Sequence, residues 1–227
     1  ESSLDGVLET GDVEIIQRLI SYMKPCEIVV SYLISNAKAK AEVGDMEGAR
    51  QTLKEAIKTA RGIHNQKDRA MALMEIAEAQ AEAGDIEGAR QTFEEAKETA
   101  SGIDKKNYRS RALREIAEAQ REAGDIDEAR QTLEEAKEIA SGIDDKYLQS
   151  VVLREIATDQ AEAGDIEGAK QILEKAKEVA RGMDKRRDTY WKSRALRYVA
   201  EAQVEVAKVQ AKMGNIEGAL EITKEID

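Results

Sequence analysis

A five-residue motif recurs along this chain at a nearly constant interval, and it constrains the fold more than any other feature. Residues 83–87 read Ala-Gly-Asp-Ile-Glu, and close copies occupy 123–127 and 163–167, with looser copies at 43–47 and 213–217. The first four copies are spaced by 40 residues, and the last follows after 50. A fixed period in this range is typical of proteins that stack one structural unit along an axis. The motif therefore predicts a repeat array with an extended binding surface.

Each repeat is predicted to form two antiparallel helices. In residues 108–147, apolar side chains recur along one helical stripe and then, after a short break, along a second one. Gly124 is expected to end the first helix, because glycine adopts the left-handed conformation of a helix C-terminus at little cost. Asp125 is expected to cap the second helix with its carboxylate, and Glu128 completes a capping-box-like pattern. The second helix is expected to end near Gly142.

The order of large, small and turn residues resembles the tetratricopeptide repeat (TPR) family. In one copy the matching residues are Leu113, Ile116, Ala117, Gln120, Gly124, Asp125, Ala129, Leu133 and Ala136. The resemblance covers residues 28–227 and implies an all-α, right-handed α-solenoid of about five antiparallel helix pairs, preceded by a degenerate helical repeat or cap at 1–27. The implied pairs are approximately 28–65, 66–105, 106–145, 146–185 and 186–227. The chain departs from the family in its period, which is 40 residues here against about 34 in the TPR, and in lacking the family's closing proline.

Composition excludes several classes of function. The formal net charge of -11 disfavours a general nucleic-acid binder, which needs a basic surface. With a single cysteine, Cys26, and a single histidine, His64, neither an internal disulfide nor a metal or cofactor site is expected. No apolar run reaches the roughly 18 to 20 residues of a membrane span. Without a catalytic constellation, the sequence indicates a non-enzymatic, cytoplasmic protein, and the initial Glu1 indicates a trimmed N-terminus.

Candidate binding residues follow from the resemblance, since the first helix of each pair lines the concave side of TPR proteins. The residues expected to face that side are Met71, Met74, Arg111, Arg114, Arg121, Arg154, Arg194 and Arg197. Arginines suit a partner's carboxylates, including a C-terminal one, because a guanidinium pairs with a carboxylate through two hydrogen bonds. The methionines would supply an adaptable apolar patch, or simply fill gaps in the core. The alternative for the arginines is an ordinary ion pair four residues along the same helix, as from Arg111 to Glu115.

One stretch of the acidic chain, residues 181–197, is strongly basic. Within this stretch, a basic and aromatic patch is a candidate for binding an acidic partner, and it consists of Lys185, Arg186, Arg187, Tyr190 and Trp191. Such residues can neutralise and stack on a ligand; the alternative is a solvated loop with Trp191 tucked between repeats. The same region holds the extra residues of the last interval, which predict one long helix from Thr189 to Met213. That helix is either a tolerated protrusion or a docking surface for a partner or a second copy.

The sequence favours a scaffold or adaptor that binds a protein or peptide, with no nucleic acid, membrane or cofactor involved. Two alternatives stay open: a regulatory or sensory ligand-binding domain of a larger protein, and a self-assembling structural module. Self-association is expected through apolar residues at the two ends of the array, because large uncovered apolar patches are association sites. These residues are Val13, Ile16, Leu19 and Ile20 at one end and Ile216, Leu220 and Ile222 at the other.

Overall fold

The computed structural model describes residues 27–184 and 189–224, and every regular element in these ranges is an α-helix. One unit ends at Gly102 and the other begins at Ile103. The first holds α1 (Glu27–Glu42), α2 (Met46–Ala60), α3 (Gln66–Glu82) and α4 (Ile86–Ser101). The second holds α5 (Lys106–Glu122), α6 (Ile126–Ser141), α7 (Lys146–Glu162), α8 (Ile166–Arg181), α9 (Thr189–Lys212) and α10 (Ile216–Lys224). The predicted N-terminal repeat or cap, with Val13, Ile16, Leu19 and Ile20, lies outside the described residues.

Consecutive helices pack in pairs within each unit. The pairs are α1 with α2 and α3 with α4 in the first unit, and α5 with α6, α7 with α8 and α9 with α10 in the second. Turns of three residues join the two members, and a turn this short makes the helices antiparallel. The predicted all-α architecture of TPR-like helix pairs is confirmed.

The glycine of each repeated motif ends the first helix of its pair. Gly124 has a φ of 87°, in the left-handed region that glycine adopts without strain. The backbone N–H of Asp125 then donates to the carbonyl of Gln120 at 2.9 Å, and the N–H of Gly124 donates to Arg121 at 3.0 Å. These bonds satisfy carbonyls that the helix end would otherwise leave unpaired, as expected from the sequence.

Side-chain capping of the second helix differs between copies. Asp85 and Asp165 accept hydrogen bonds from the backbone N–H groups of Gly88 and Gly168, at 3.2 and 2.9 Å. The prediction for Asp125 was wrong, since its side chain makes no capping hydrogen bond. The reason lies three residues later: a Cβ on Gly88 would stand 2.5 Å from the Asp85 carboxylate. Glu128 carries that Cβ, so the carboxylate of Asp125 would have to shift from the place that Asp85 occupies.

Alanine dominates the helix contacts. Ala129, Ala136 and Ala140 on α6 are fully buried, and Leu133 between them is 2% exposed. On α5 the facing stripe includes Leu113, with no exposed surface. Small side chains let helix axes approach closely, so the core consists of thin layers between neighbouring helices. Truncating a buried leucine here to alanine would cost about 2–5 kcal/mol, because the rigid alanine neighbours cannot fill the space.

Helix α9 is longer than its counterparts. It has 24 residues, whereas α5 and α7 have 17 each, so the predicted long helix from Thr189 to Met213 is present from Thr189 to Lys212. Its buried residues repeat after seven positions, with Val199 followed by Val206 and Gln203 by Gln210. Seven residues are close to two helical turns, so both copies of the pattern face the core.

Candidate functional site

The candidate methionines lie on α3 in the first unit, and both are half-buried. Met71 borders a shallow groove of about 180 Å³ together with Val30 and Ser31 of α1. Asp68 and Glu75 also line this groove, so its surface mixes apolar and acidic groups.

The arginines of α5 in the second unit form salt bridges with carboxylates of α7. Three bridges connect these two helices: Arg111 to Glu155 at 3.4 Å, Arg114 to Asp159 at 3.0 Å, and Arg121 to Glu162 at 3.3 Å. The partners therefore belong to the next repeat and not to the position four residues along the same helix. We call these three bridges the α5–α7 ladder.

The central bridge of the ladder is largely shielded from water. The side chains of Arg114 and Asp159 are 20% and 13% exposed. The pKa of Asp159 is raised to about 7, chiefly by burial and also by the nearby Glu118 and Glu162, while Arg114 opposes the shift. In the preceding copy this position is Ala119. The sequence interpretation missed Asp159, although its signal was a charged residue in place of a repeated alanine.

Three arginines surround one tyrosine where α7 meets α9. The guanidinium carbons of Arg154, Arg194 and Arg197 lie 5.5, 5.3 and 5.4 Å from the centre of the Tyr198 ring. The Nε of Arg194 also donates to the Tyr198 hydroxyl at 2.7 Å, which lowers the pKa of that phenol. Guanidinium groups at this distance from an aromatic face are attracted to its electron density. We call these four residues the arginine cluster.

Acidic neighbours neutralise only part of the cluster. Glu155 lies 3.3 Å from Arg154 and also belongs to the ladder, where it pairs with Arg111. Glu201 lies 3.6 Å from Arg197, four residues earlier on the same helix. Four arginines thus share two glutamates at this place, and Arg197 remains 65% exposed. The cluster is therefore a positive region on an acidic chain.

Tyr198 occupies a position at which the three preceding copies carry a glutamate. The corresponding residues are Glu75, Glu115 and Glu155. The sequence interpretation named the three arginines but missed the tyrosine on which they converge. As with Asp159, the available signal was a departure from the repeat.

Aromatic side chains continue the cluster towards the start of α9. Arg194 lies 5.6 Å from the Trp191 ring, which meets the Tyr147 ring edge-on at 4.9 Å. Trp191 therefore packs against α7, yet it remains 43% exposed, and Tyr190 is 67% exposed. With Leu148, Met183 and others, Tyr147 and Trp191 line a cavity of about 640 Å³. The other residues of the candidate patch, Lys185, Arg186 and Arg187, lie outside the described residues.

The described ranges contain neither a helix that could span a membrane nor a cluster of metal-ligating side chains. No helix there is long and apolar enough to cross a membrane. Among the same residues, no group of three or more histidine, cysteine, aspartate or glutamate side chains is placed to hold a metal ion.

Comparison with known families and structures agrees with this architecture. Tetratricopeptide repeat models match residues 71–100 and 108–182. Ton1535 from Thermococcus onnurineus NA1 superimposes with a TM-score of 0.57 at 17% identity, covering 99% of this chain and 74% of that one. BtubC (BKLC) from P. vanneervenii gives 0.52 at 14% identity, covering 100% and 90%. At these identities the likeness supports the fold alone. A search of curated protein sequences gave no significant match.

Proposed function

We propose that this chain, a TPR-like repeat protein, is a non-enzymatic module that binds an acidic segment of a protein partner on the first helices of its second unit. TPR repeats generally mediate interaction between proteins. The observation that carries the proposal for this chain is the arginine cluster, in which Arg154, Arg194 and Arg197 converge on Tyr198. A carboxylate there would accept charge-assisted hydrogen bonds, which are stronger than neutral ones.

The cluster is a better docking site than the α5–α7 ladder. A partner's carboxylate at Arg111 or Arg114 would have to displace Glu155 or Asp159, which already occupy those guanidinium groups. At the cluster, Arg194 is held between the Trp191 and Tyr198 rings, so little side-chain entropy is lost when a ligand binds. In this proposal Arg154, Arg194 and Arg197 contact the ligand directly, while the ladder arginines position α7.

Charge reversal tests the proposal. Replacing Arg154 and Arg197 together by glutamate should weaken binding of a fluorescent Asp/Glu-rich peptide by more than about tenfold in an anisotropy titration. The matched control is Lys208→Glu combined with Lys212→Glu, which changes the net charge equally at exposed positions of α9 away from the cluster. Circular dichroism should show unchanged helix content in both proteins. An equal loss of binding in the control would mean that net charge alone causes the effect. Unaltered binding in the variant of Arg154 and Arg197 would refute the proposed site.

A second candidate function, self-assembly, is favoured by apolar residues of α9 and α10. Met213, Ile216 and Leu220 are 60%, 58% and 54% exposed, and Val204 is 37% exposed. Light scattering over a concentration series would detect association, and Leu220→Glu should abolish it if this surface is responsible. A constant monomer mass up to millimolar concentration would exclude assembly through this end. The remaining alternative, a regulatory or sensory domain, requires an attached effector domain in a longer chain.

A further inference from the structure

The arginine cluster fits a phosphate group better than a single carboxylate, and we propose that the bound segment carries a phosphorylated side chain. This inference rests on the proposed function, since it names the chemical group that the same site recognises. Three features of the cluster carry it: its excess charge, the arrangement of its donors, and the residue that distinguishes it from the corresponding place in the other repeats.

The site carries an excess of positive charge that suits a dianion. Arg154, Arg194 and Arg197 have two neighbouring carboxylates, Glu155 and Glu201, and Glu155 is also shared with Arg111 of the ladder, so the excess is more than one positive charge. A phosphorylated side chain carries about 1.5 to 2 negative charges at pH 7, whereas one carboxylate carries one. A carboxylate alone would therefore leave a positive charge unmatched beside the aromatic rings.

The donors approach the Tyr198 ring from two helices instead of forming a single fork. Guanidinium groups reach Tyr198 from α7 and from two positions on α9, all at 5.3–5.5 Å from the ring centre. The phenol oxygen accepts from Arg194, so its own O–H remains a donor. A carboxylate saturates one arginine fork, while a phosphate monoester has three terminal oxygens that take donors from several directions.

Tyr198 is the residue that makes the site available to an anion. At the corresponding position of the preceding repeat, Glu155 lies between Arg111 and Arg154 and neutralises both. A glutamate at 198 would place a carboxylate beside Arg154 and Arg197, neutralise part of their charge and repel a phosphate. The tyrosine keeps the arginines oriented through its ring and hydroxyl without adding a negative charge.

The test uses a fluorescent nine-residue Gly/Ser/Ala peptide that carries one phosphoserine. Its comparison peptides carry, at the same place, serine, one aspartate or two aspartates. We expect the phosphorylated peptide to bind at least about tenfold more tightly than the single-aspartate peptide at pH 7.5. Tyr198→Glu should abolish that difference. Tyr198→Phe should weaken phosphopeptide binding about tenfold, through loss of one hydrogen bond between the hydroxyl and a charged group.

A control variant separates local from general charge effects. Lys212→Gln lowers the net charge by one, as Tyr198→Glu does, and lies on the same helix about 21 Å along its axis from residue 198, at an exposed side chain. It should leave phosphopeptide binding unchanged. Lowering the pH from 7.5 to 5 should weaken the phosphopeptide several-fold, because the second phosphate ionisation has a pKa of about 6. The single-aspartate peptide should respond much less over that range, since its carboxylate remains ionised.

The results separate failure of the inference from failure of the proposed function. Equal affinity for the phosphorylated and aspartate peptides, both lost on reversing Arg154 and Arg197, would overturn the phosphate inference and leave the acidic-segment site in place. Displacement by inorganic phosphate at the concentration that the peptide itself requires would show a site for free phosphate and would also overturn it. Binding of neither peptide would overturn both proposals.

Discussion

Two junctions of the second unit, α5 against α7 and α7 against α9, use arginines at the same positions of the repeat to different ends. At the first junction, Arg111 and Arg114 of α5 form salt bridges with Glu155 and Asp159 of α7, so carboxylates of the same protein pair with both arginines. At the second, the α7 residues at the same positions are Val151 and Arg154. Arg154 meets Tyr198 of α9, which Arg194 and Arg197 approach from its own helix. The difference teaches that a repeat leaves arginine charge without a neutralising partner when the acid facing it is replaced by a tyrosine.

The pH dependence of stability is the strongest test of the first junction. Since the pKa of Asp159 rises from 3.8 to about 7 on folding, the folded state binds the extra proton between these values. Stability should therefore fall as the pH rises from about 4 to 7, by up to about 4 kcal/mol for a shift of this size, and level off above that range.

Asp159→Ala restores the alanine of the other copies and should remove this slope. The groups that face Asp159 are Arg114 and Glu118 from α5 and Glu162 on its own helix. Urea unfolding of both proteins at pH 4, 5.5 and 7.5 measures the effect, with the variant gaining stability relative to the parent as the pH rises. Parallel curves for the two proteins would contradict a raised pKa at Asp159.

Removing one arginine from each junction should have unequal effects on stability. Arg114→Ala removes the partner of the buried Asp159 and should cost about 1 kcal/mol at pH 7.5, because Asp159, with a pKa of about 7, then takes up a proton instead of remaining charged. Arg197→Ala, at a side chain that is 65% exposed, should cost less than about 0.5 kcal/mol. Denaturant unfolding gives both values. In the double variant with Asp159→Ala, the loss of Arg114 should become nearly harmless, and an additive result would show that the two residues do not interact.

The smallest expected effect is a gain of binding at the first junction. Glu155→Tyr copies the feature that distinguishes the second junction, and releases Arg111 and Arg154 from their shared acid. Affinity for an acidic peptide should rise about threefold in the anisotropy assay, because Asp159 still occupies Arg114. Glu115→Tyr, at the same position one repeat earlier, is the matched control. A gain of the same size in the control would mean that net charge, and not this junction, determines the affinity.

The fold was predictable from the sequence because its signals are local and repeated. The left-handed glycine at 124 and the stripe that includes Leu113 depend only on neighbouring residues. The partners of the arginines were not predictable in the same way. Arg114 meets Asp159 across two helices, and that pairing depends on how far one repeat is displaced against the next. Chain periodicity does not specify that displacement, so the expected pairing within one helix was the wrong alternative for this arginine.

Departures from the repeat mark Asp159 in the ladder and Tyr198 in the arginine cluster, but they do not indicate what either residue does. Asp159 stands in place of an alanine and Tyr198 in place of a glutamate, and both substitutions are visible in the sequence. Their effects have different causes, since burial raises the pKa of the first while three cations orient around the second. The sequence alone does not tell that Asp159 pairs with an arginine, whereas Tyr198 leaves its arginines without an acid at that position.

Helix α9 is seven residues longer than α5, and seven residues are close to two helical turns. Near its start, Lys192 donates to the carbonyl of Met183 at the end of the preceding pair, much as Arg109 does to Ile103. At its end, the N–H of Asn215 donates to Gln210 as in the other turns. Both ends keep their register because two turns were added, which moves the following turn outward by about 10 Å with hardly any rotation. Adding two turns at a time to such a helix therefore changes how far along the axis a contact lies and leaves its direction nearly unchanged.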